Sequence, residues 1–330
     1  MKKILLTAAV LLCAGIPTLS AQNLFHRLDS MLTENYRKVR YDTAYLARPQ
    51  SKWTLMTRVN LSGLTIETEG IDNGQHYKSR MDAKNKTTIS LGVGYQGLML
   101  SLALNPAQLS GKNHDYELNL NIYRRSFGFD IIWQDARNFT GWYDQDGWPR
   151  YNLPDGMLKV RTLNLNGYYA FNSRRFSYPA AFSQSYIQRC SAGSFLLAAS
   201  VMAQRAVFDG DTYLKLNTVN VGIGAGYGYN YVPHEGWLLH LSLLPTLIVY
   251  SNSKLKVDDE QMKQHYDFPE FIVTARASAV RLWGGNKFAG LSMVYNYTNI
   301  GDNDNLAVYN YKWRLRAFFG FRLGKNNKKK

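Results

Sequence analysis

Cysteine is nearly absent from the 330-residue chain: the two are Cys13 and Cys190. Cys13 sits in an apolar run from Ile4 to Pro17 that follows Met1-Lys2-Lys3 and precedes Thr18-Leu19-Ser20-Ala21. A basic start, an apolar stretch and a small-residue cleavage site make residues 1–21 a secretory signal. Leu12 before Cys13 is not small, which argues against lipoprotein acylation there. Once the signal is removed only Cys190 remains, and an intramolecular disulfide is excluded. Beyond the signal no run of about 18 apolar residues occurs, so no transmembrane helix is expected. Acidic residues are few: 24 Asp and Glu stand against 39 Lys and Arg, a net charge of +15. Basic charge can signal nucleic acid, but an exported chain makes that partner a poor fit, and a solvated surface with the tail Lys328-Lys329-Lys330 accounts for it.

Cofactor and metal signatures are missing too. The run Gly222-Ile223-Gly224-Ala225-Gly226-Tyr227-Gly228 fails the dinucleotide pattern, because Tyr227 stands where its third glycine belongs and no helix follows. These glycines recur at period 2 and read as strand positions that leave room for larger groups opposite, or for a plug. The acidic clusters at Asp144-Gln145-Asp146, Asp209-Gly210-Asp211, Asp258-Asp259-Glu260 and Asp302-Asn303-Asp304 lack the calcium-loop pattern. They read as a solvated rim, bridged by divalent ions to anionic lipopolysaccharide. No cofactor and no metal site is expected.

What the chain has instead is alternation with many aromatics: 23 Tyr, 15 Phe and 7 Trp. Residues 305–323 put Ala307, Tyr309, Tyr311, Trp313, Leu315, Ala317, Phe319, Phe321 and Leu323 on one face, and Asn310, Lys312, Arg314, Arg316 and Arg322 on the other. Successive side chains of a strand point to opposite faces. The stretch exceeds an ordinary strand of about 5–6 residues and suits a tilted membrane-spanning strand with a core of about 9–11. Similar stretches cover 52–66, 86–95, 97–105, 115–125, 127–136, 157–171, 190–207, 217–231, 236–251, 268–283 and 286–299. The expected fold is therefore all-β: a transmembrane antiparallel barrel of about twelve strands, an even number as such barrels require. Links at 67–85, 137–156 and 252–267 would be long outer loops, whereas those near 96, 125, 232–235 and 284–285 would be short inner turns. One inner link, 172–189, breaks the rule by its length. Ahead of the barrel, Leu24, Phe25, Leu28, Met31, Leu32, Tyr36 and Val39 have helical spacing. The domain plan is a signal at 1–21, a periplasmic helix and lead-in at 22–50, the barrel at 51–324 and a basic periplasmic tail at 325–330.

The stretch NSRRFSYPAAFSQSYIQRCSAGSF at 172–195 resembles the hallmark segment of the domain of unknown function 4421 family, and YDTAYLARP at 41–49 resembles its N-terminal signature. The resemblance extends over nearly the whole mature chain. It implies a cell-envelope protein of Gram-negative bacteria whose activity is undefined, and it carries over no catalytic residues.

Candidate functional residues emerge from the face assignment. Arg58, Arg276, Lys312, Arg314 and Arg316, with Glu117 and Asp130, would line the lumen. A basic lumen favours anionic solutes; a salt-bridged polar core that closes a small barrel is the preferred alternative, since about twelve strands leave a narrow interior. In the inner loop, Arg174, Arg175, Phe176, Tyr178 and Tyr186 either dock a periplasmic protein, as aromatic and arginine anchors do, or pack back into the barrel, which so many aromatics favour. Cys190 beside them reads as a buried small hydrophobe. His240 and Ser242 share a face, so a hydrolase with Asp130 as its acid is conceivable, though no nucleophile elbow is present. The reading is a non-enzymatic integral outer-membrane barrel serving solute passage, anchoring or envelope assembly. Its partners would be outer-membrane lipid, lipopolysaccharide and the barrel-assembly machinery. The alternative is a barrel-embedded hydrolase acting on lipid or glycan.

Overall fold

The computed structural model describes Ser30, residues 41–72, 74–95, 98–104, Pro106, and residues 116–210, 213–258, 260–264, 269–302 and 306–325. The signal at 1–21, the helix expected over 22–38 apart from Ser30, the turn at 96–97 and nearly all of the basic tail lie outside the described residues. The barrel belongs to the compact unit that begins at Tyr41.

In chain order the strands are β1 (Leu46–Ala47), β2 (Ser51–Asp72), β3 (Gln75–Ala83), β4 (Lys86–Tyr95), β5 (Leu98–Leu104) and β6 (Tyr116–Tyr123). Next come β7 (Phe127–Ala136), β8 (Phe139–Gln145), β9 (Tyr151–Leu153), β10 (Leu158–Ala170), β11 (Ile187–Gln188) and β12 (Ala192–Asp209). The series ends with β13 (Tyr213–Tyr231), β14 (Trp237–Val257), β15 (Glu260–Gln264), β16 (Glu270–Trp283), β17 (Lys287–Asp302) and β18 (Leu306–Lys325). Among the described residues every strand pairing is antiparallel. Twelve strands make the wall, each beside the next: β2, β4, β5, β6, β7, β10, β12, β13, β14, β16, β17 and β18, with β5 running alongside β6. The last strand then pairs with the first, from Leu306↔Gly70 down to Lys325↔Ser51. Closure removes the exposed sheet edge, and that is what lets a long antiparallel sheet stand alone.

The pleat sorts the side chains. Along β14, Leu238, His240, Ser242, Leu244, Thr246 and Ile248 are buried, while Trp237, Leu239, Leu241 and Leu243 between them are exposed. On β18, Arg314, Phe318 and Arg322 point in, whereas Leu315, Phe319, Phe321 and Leu323 point out. The outward face is an apolar belt that includes Leu91, Leu197, Ile223, Leu241, Leu243 and Leu291. At the end where β2 starts and β18 finishes, exposed aromatics ring it: Trp53, Tyr169, Phe195, Tyr231, Trp237, Trp283 and Phe321. The links between β6 and β7, β13 and β14, and β16 and β17 are short turns at this same end, the one expected to be the inner end.

Three stretches expected as outer loops contain strands. Residues 67–85 hold the end of β2 and the whole of β3; 137–156 holds β8 and β9; 252–267 holds the end of β14 and β15. Their polar composition hid them, because in the β2–β3 hairpin one face carries charge and the other only a short apolar patch, with Ile66 opposite Met81. Lys78 pairs with Glu69 at 3.4 Å, Arg80 with Glu67 at 3.1 Å, and Thr68 meets Ser79 at 2.6 Å. Such cross-strand pairs stabilise the hairpin on its charged face, while Ile66, Met81, Ala83 and Phe139 form a buried apolar cluster on the other. At this rim the Tyr309 hydroxyl donates to Glu69 at 2.7 Å and holds its carboxyl below the usual range.

Candidate functional site: the plugged inner mouth

The segment after β10 does not hang from the barrel as a loop. It turns inward, and Phe176, Ser177, Tyr178, Ala180, Ala181, Phe182, Ser183, Gln184 and Tyr186 are all buried. Its sequence dictates the turn. Ser177 caps a five-residue helix, Tyr178–Phe182, by accepting the Ala180 N–H at 3.2 Å, and proline lies in the first turn, where its missing N–H costs nothing. Gln184 then takes φ +59°, the left-handed conformation that ends helices, and its N–H returns to the Pro179 carbonyl at 2.8 Å. The result is a compact aromatic knot, with Tyr178 and Phe182 ring centroids 5.1 Å apart, seated inside the mouth of the barrel.

A chain of hydrogen bonds ties this plug to the wall, and its donors and acceptors can be assigned. Gln188 Nε2 donates to the Arg175 and Cys190 carbonyls at 2.7 and 2.8 Å, which leaves its Oε1 to accept from the Ser177 N–H at 3.1 Å and from Asn230 Nδ2 at 2.9 Å. Asn230 Nδ2 also donates to the Ser177 carbonyl at 2.9 Å, so its Oδ1 faces His240 Nδ1 at 2.7 Å as an acceptor. His240 therefore carries its proton on Nδ1. Its bare Nε2 accepts from Ser242 Oγ at 3.0 Å, and Ser242 in turn accepts from the Tyr178 hydroxyl at 3.2 Å. On β18, Arg322 donates to the Gln184 carbonyl at 3.0 Å and lies over the Phe288 ring. Of the period-2 glycines on β13, Gly228 does face the plug: a Cβ there would sit 3.1 Å from the Phe176 ring.

The lead-in seals the outside of the plug. β1 pairs with β11, so Leu46 faces Gln188 and Ala47 faces Ile187. Arg175 bonds Asp42 at 3.1 Å and stacks over Tyr45, and Arg48 lies over both Tyr41 and Tyr186. The stretches 41–49 and 172–195, far apart in sequence, are one structural unit. Of the two placements open to the inner loop, Phe176, Tyr178 and Tyr186 take the packed one and are buried in the barrel end, because the knot satisfies its own backbone and covers its own rings. Arg174 and Arg175 stay at the surface. Cys190 is exposed rather than buried, since it lies just past β11 on the rim, where its thiol meets the Ala44 carbonyl at 3.3 Å.

Above the plug the lumen is braced across its width. Arg276 on β16 meets Asp130 on β7 at 2.8 Å with both side chains buried, Arg314 on β18 meets Glu117 on β6, and Lys312 on β18 donates to Gln134 on β7. These strands lie far apart around the wall, so each contact spans the interior. Arg316 instead bonds its neighbour Asn60 on β2 at 2.8 Å, and Arg58 is buried nearby. One gap between the braces, lined by Gln134, Asn164, Met202 and Lys312, measures about 60 Å³. Asp130 is committed to Arg276, not to His240. The group that orients His240 is Asn230, its cross-strand partner, which no spacing rule could pick before the register was known. Among the described residues no cluster of three His, Cys, Asp or Glu could hold a metal.

An up-and-down barrel with an apolar outer belt and a filled polar interior is the architecture of outer-membrane β-barrel proteins, and the chain is similar to several. It covers 83% of its length on 97% of the outer membrane protease OmpT of Escherichia coli, with 10% identity and a TM-score of 0.44. It covers 83% on 97% of the outer membrane protein OprG of Pseudomonas aeruginosa, with 13% identity and a TM-score of 0.30. For the translocator domain of the autotransporter NalP of Neisseria meningitidis the shares are 92% and 97%, with 8% identity and a TM-score of 0.28. No curated protein matches the sequence. The chain belongs to the family described as Domain of unknown function (DUF4421), whose model matches residues 40–323. That span takes in both the lead-in and the plug.

The bracing has a measurable consequence. Removing one partner of a buried ion pair strands the other, at a cost of about 3–5 kcal/mol, whereas replacing both with apolar groups is close to neutral. Asp130→Ala should therefore lower the stability of the detergent-folded barrel far more than Asp130→Leu combined with Arg276→Met. Denaturant midpoints followed by the gel mobility of unboiled protein would measure both.

Proposed function

We propose that the protein is an integral outer-membrane β-barrel, closed at its periplasmic mouth, that serves anchoring or envelope assembly and is not an enzyme. The observation that carries this reading is the double closure of the lumen. The knot at 176–186 fills the inner end, and ion pairs cross the space above it. The belt of exposed Leu and Ile bounded by an aromatic ring supports insertion in a bilayer, because girdles of this kind sit at membrane interfaces. The side with the short turns, where β2 starts and β18 finishes, then faces the periplasm. A signal at residues 1–21 fits export. The aromatic last strand, with Phe319 and Phe321 outward, is what the assembly machinery would take, and the exposed cap around Arg174 and Cys190 is where a periplasmic protein would meet it.

Solute passage is the part of the expectation this geometry disfavours, since the plug occupies the inner mouth and ion pairs cross the lumen above it. In planar bilayers the purified protein should give no channel steps. Regular steps from the unaltered chain would restore the pore reading.

A second reading, a barrel-embedded hydrolase on lipid or glycan, draws on one observation: Ser242, His240 and Asn230 form a nucleophile–base–orienter series with the tautomer that such chemistry needs. Against it, the rings of Phe176, Tyr178 and Phe182 pack around His240 at 6.0, 5.1 and 5.1 Å, and Ser242 is buried. A fluorophosphonate should leave Ser242 unlabelled in the folded protein. Labelling at Ser242 that disappears in His240→Ala would favour the hydrolase.

A further inference from the structure

The outward face does not stay apolar to the outer end. On β10 it runs through Leu165 and Leu163 and then becomes Arg161 and Lys159; on β12 it runs through Leu197 and Val201 to Arg205; on β13 through Ile223 and Val219 to Asn217 and Lys215. The pairing registers align the change. Asp135 faces Arg161, Arg161 faces Arg205, Arg205 faces Asn217, and Asn217 faces Lys254, one row across five strands. Further out, Lys215 faces Lys256.

Like charges directly opposite each other on a sheet are destabilising, and this surface sets Arg161 against Arg205. The carboxylates nearby do not offset that pair. Asp135 is shared between Arg137 at 2.8 Å and Arg161 at 3.3 Å, and Asp209 lies 3.7 Å from Lys159. Among the described residues neither Arg205 nor Lys254 has a carboxylate in ion-pair reach. The Arg161 side chain is more than half exposed, at 55%. Two grooves meet over this row. One, of about 420 Å³, has Arg161, Arg205 and Lys254 above an apolar floor of Trp133, Leu163 and Val219. The other, of about 280 Å³, has Lys159 and Arg137 and shares Arg161 and Arg205 with the first.

The geometry points to a binding site for a phosphorylated glycolipid of the outer leaflet, with its phosphates on Arg161 and Arg205 and its acyl chains on the apolar strip beneath. This inference rests on the proposal that the barrel sits in a membrane. Each part of the site matches one part of such a ligand. Guanidinium groups take phosphate oxygens in pairs, two adjoining grooves that share their arginines suit a headgroup with more than one phosphate, and the change from Leu to Arg marks the height of a headgroup layer. The row engages phosphate directly, unlike the divalent-ion bridge expected from the acidic loops.

The test uses the full barrel in a non-ionic detergent and a diphosphoryl, acylated diglucosamine as the probe, with binding followed by native mass spectrometry. The parallel arms are the same glycolipid after dephosphorylation, phosphatidylglycerol vesicles and inorganic phosphate. The expected result is saturable binding that weakens roughly tenfold or more in Arg161→Glu with Arg205→Glu, as lost headgroup attraction of about 1 kcal/mol per basic residue implies. Removal of the phosphates should weaken it comparably, and inorganic phosphate at the same concentration should not compete. Unchanged affinity in the double variant, or equal affinity for phosphatidylglycerol, would overturn the site. The unboiled gel mobility of the double variant shows whether it folded. If it did not, Arg205→Gln alone, which leaves the Arg161–Asp135 pair in place, must still weaken binding, and unchanged binding there overturns the site. A wild-type chain that is soluble without detergent would overturn the membrane reading instead, and with it the site.

Discussion

A single amide holds the inner end together. Gln188 accepts from one strand of the wall and from the plug with its oxygen, and donates to the two ends of the plug segment with its nitrogen. Its backbone meanwhile lies in the two-residue pairing with the lead-in. Plug, cap and wall therefore meet at one residue that is itself buried. From it the bonds run through Asn230, His240 and Ser242 back to Tyr178, so the plug is tied at its base and near its tip. Inside a barrel an unmade hydrogen bond leaves a desolvated group, at about 1–3 kcal/mol each. A network this complete resists partial release, because opening any one link exposes the next. Among the described residues it is the feature that most separates this chain from an open twelve-strand barrel.

The same constraint shapes the lumen above. Twelve strands enclose a space that long side chains can cross, so basic residues on one wall reach acids and amides on the opposite one. Of the charges placed in the lumen, Arg276, Lys312 and Arg314 hold opposite walls to each other, as the salt-bridged core expected of a small barrel requires, while Arg316 bonds the neighbouring strand. On the outside the balance differs. In the row through Arg161 and Arg205, one carboxylate, Asp135, is divided between Arg137 and Arg161, and basic charge is left in excess. Inner and outer faces thus divide the basic residues into a structural set and an available set, although both sets come from the same alternating strands.

Much of this was legible in the sequence, for physical reasons. Side-chain period 2 survives any register, so residues 305–323 announce a long two-faced strand without help from their neighbours, and β18 spans Leu306–Lys325. The even strand number and the inner–outer sense follow from the same pattern. Three things were not legible. The hairpin extensions such as β3 bury only a short apolar face, Met81 and Ala83 clustered with Ile66 and Phe139, beside a charged one, and a window that looks for long hydrophobic alternation passes over them. The hydrogen-bond partner of His240 depends on which residue of β13 lies opposite, a matter of register that the glycine-rich stretch leaves undetermined. The burial of 176–186 was readable only as a preference: the aromatic content argues for cover, but the cap, the left-handed Gln184 and the Gln188 amide that make cover possible are visible only once the chain is folded.

The central claim, that residues 176–186 occupy the interior of the barrel mouth, is tested most directly by thiol accessibility. Cys190 is exposed on the rim and Ala181 is fully buried in the plug, a few residues away in sequence. In the folded, detergent-solubilised protein, a bulky membrane-impermeant maleimide should label the native Cys190 rapidly. Ala181→Cys, made in a Cys190→Ser background, should stay unlabelled until the barrel is heat-denatured. Labelling of the introduced thiol in the folded state at a rate comparable to that of Cys190 would contradict the account.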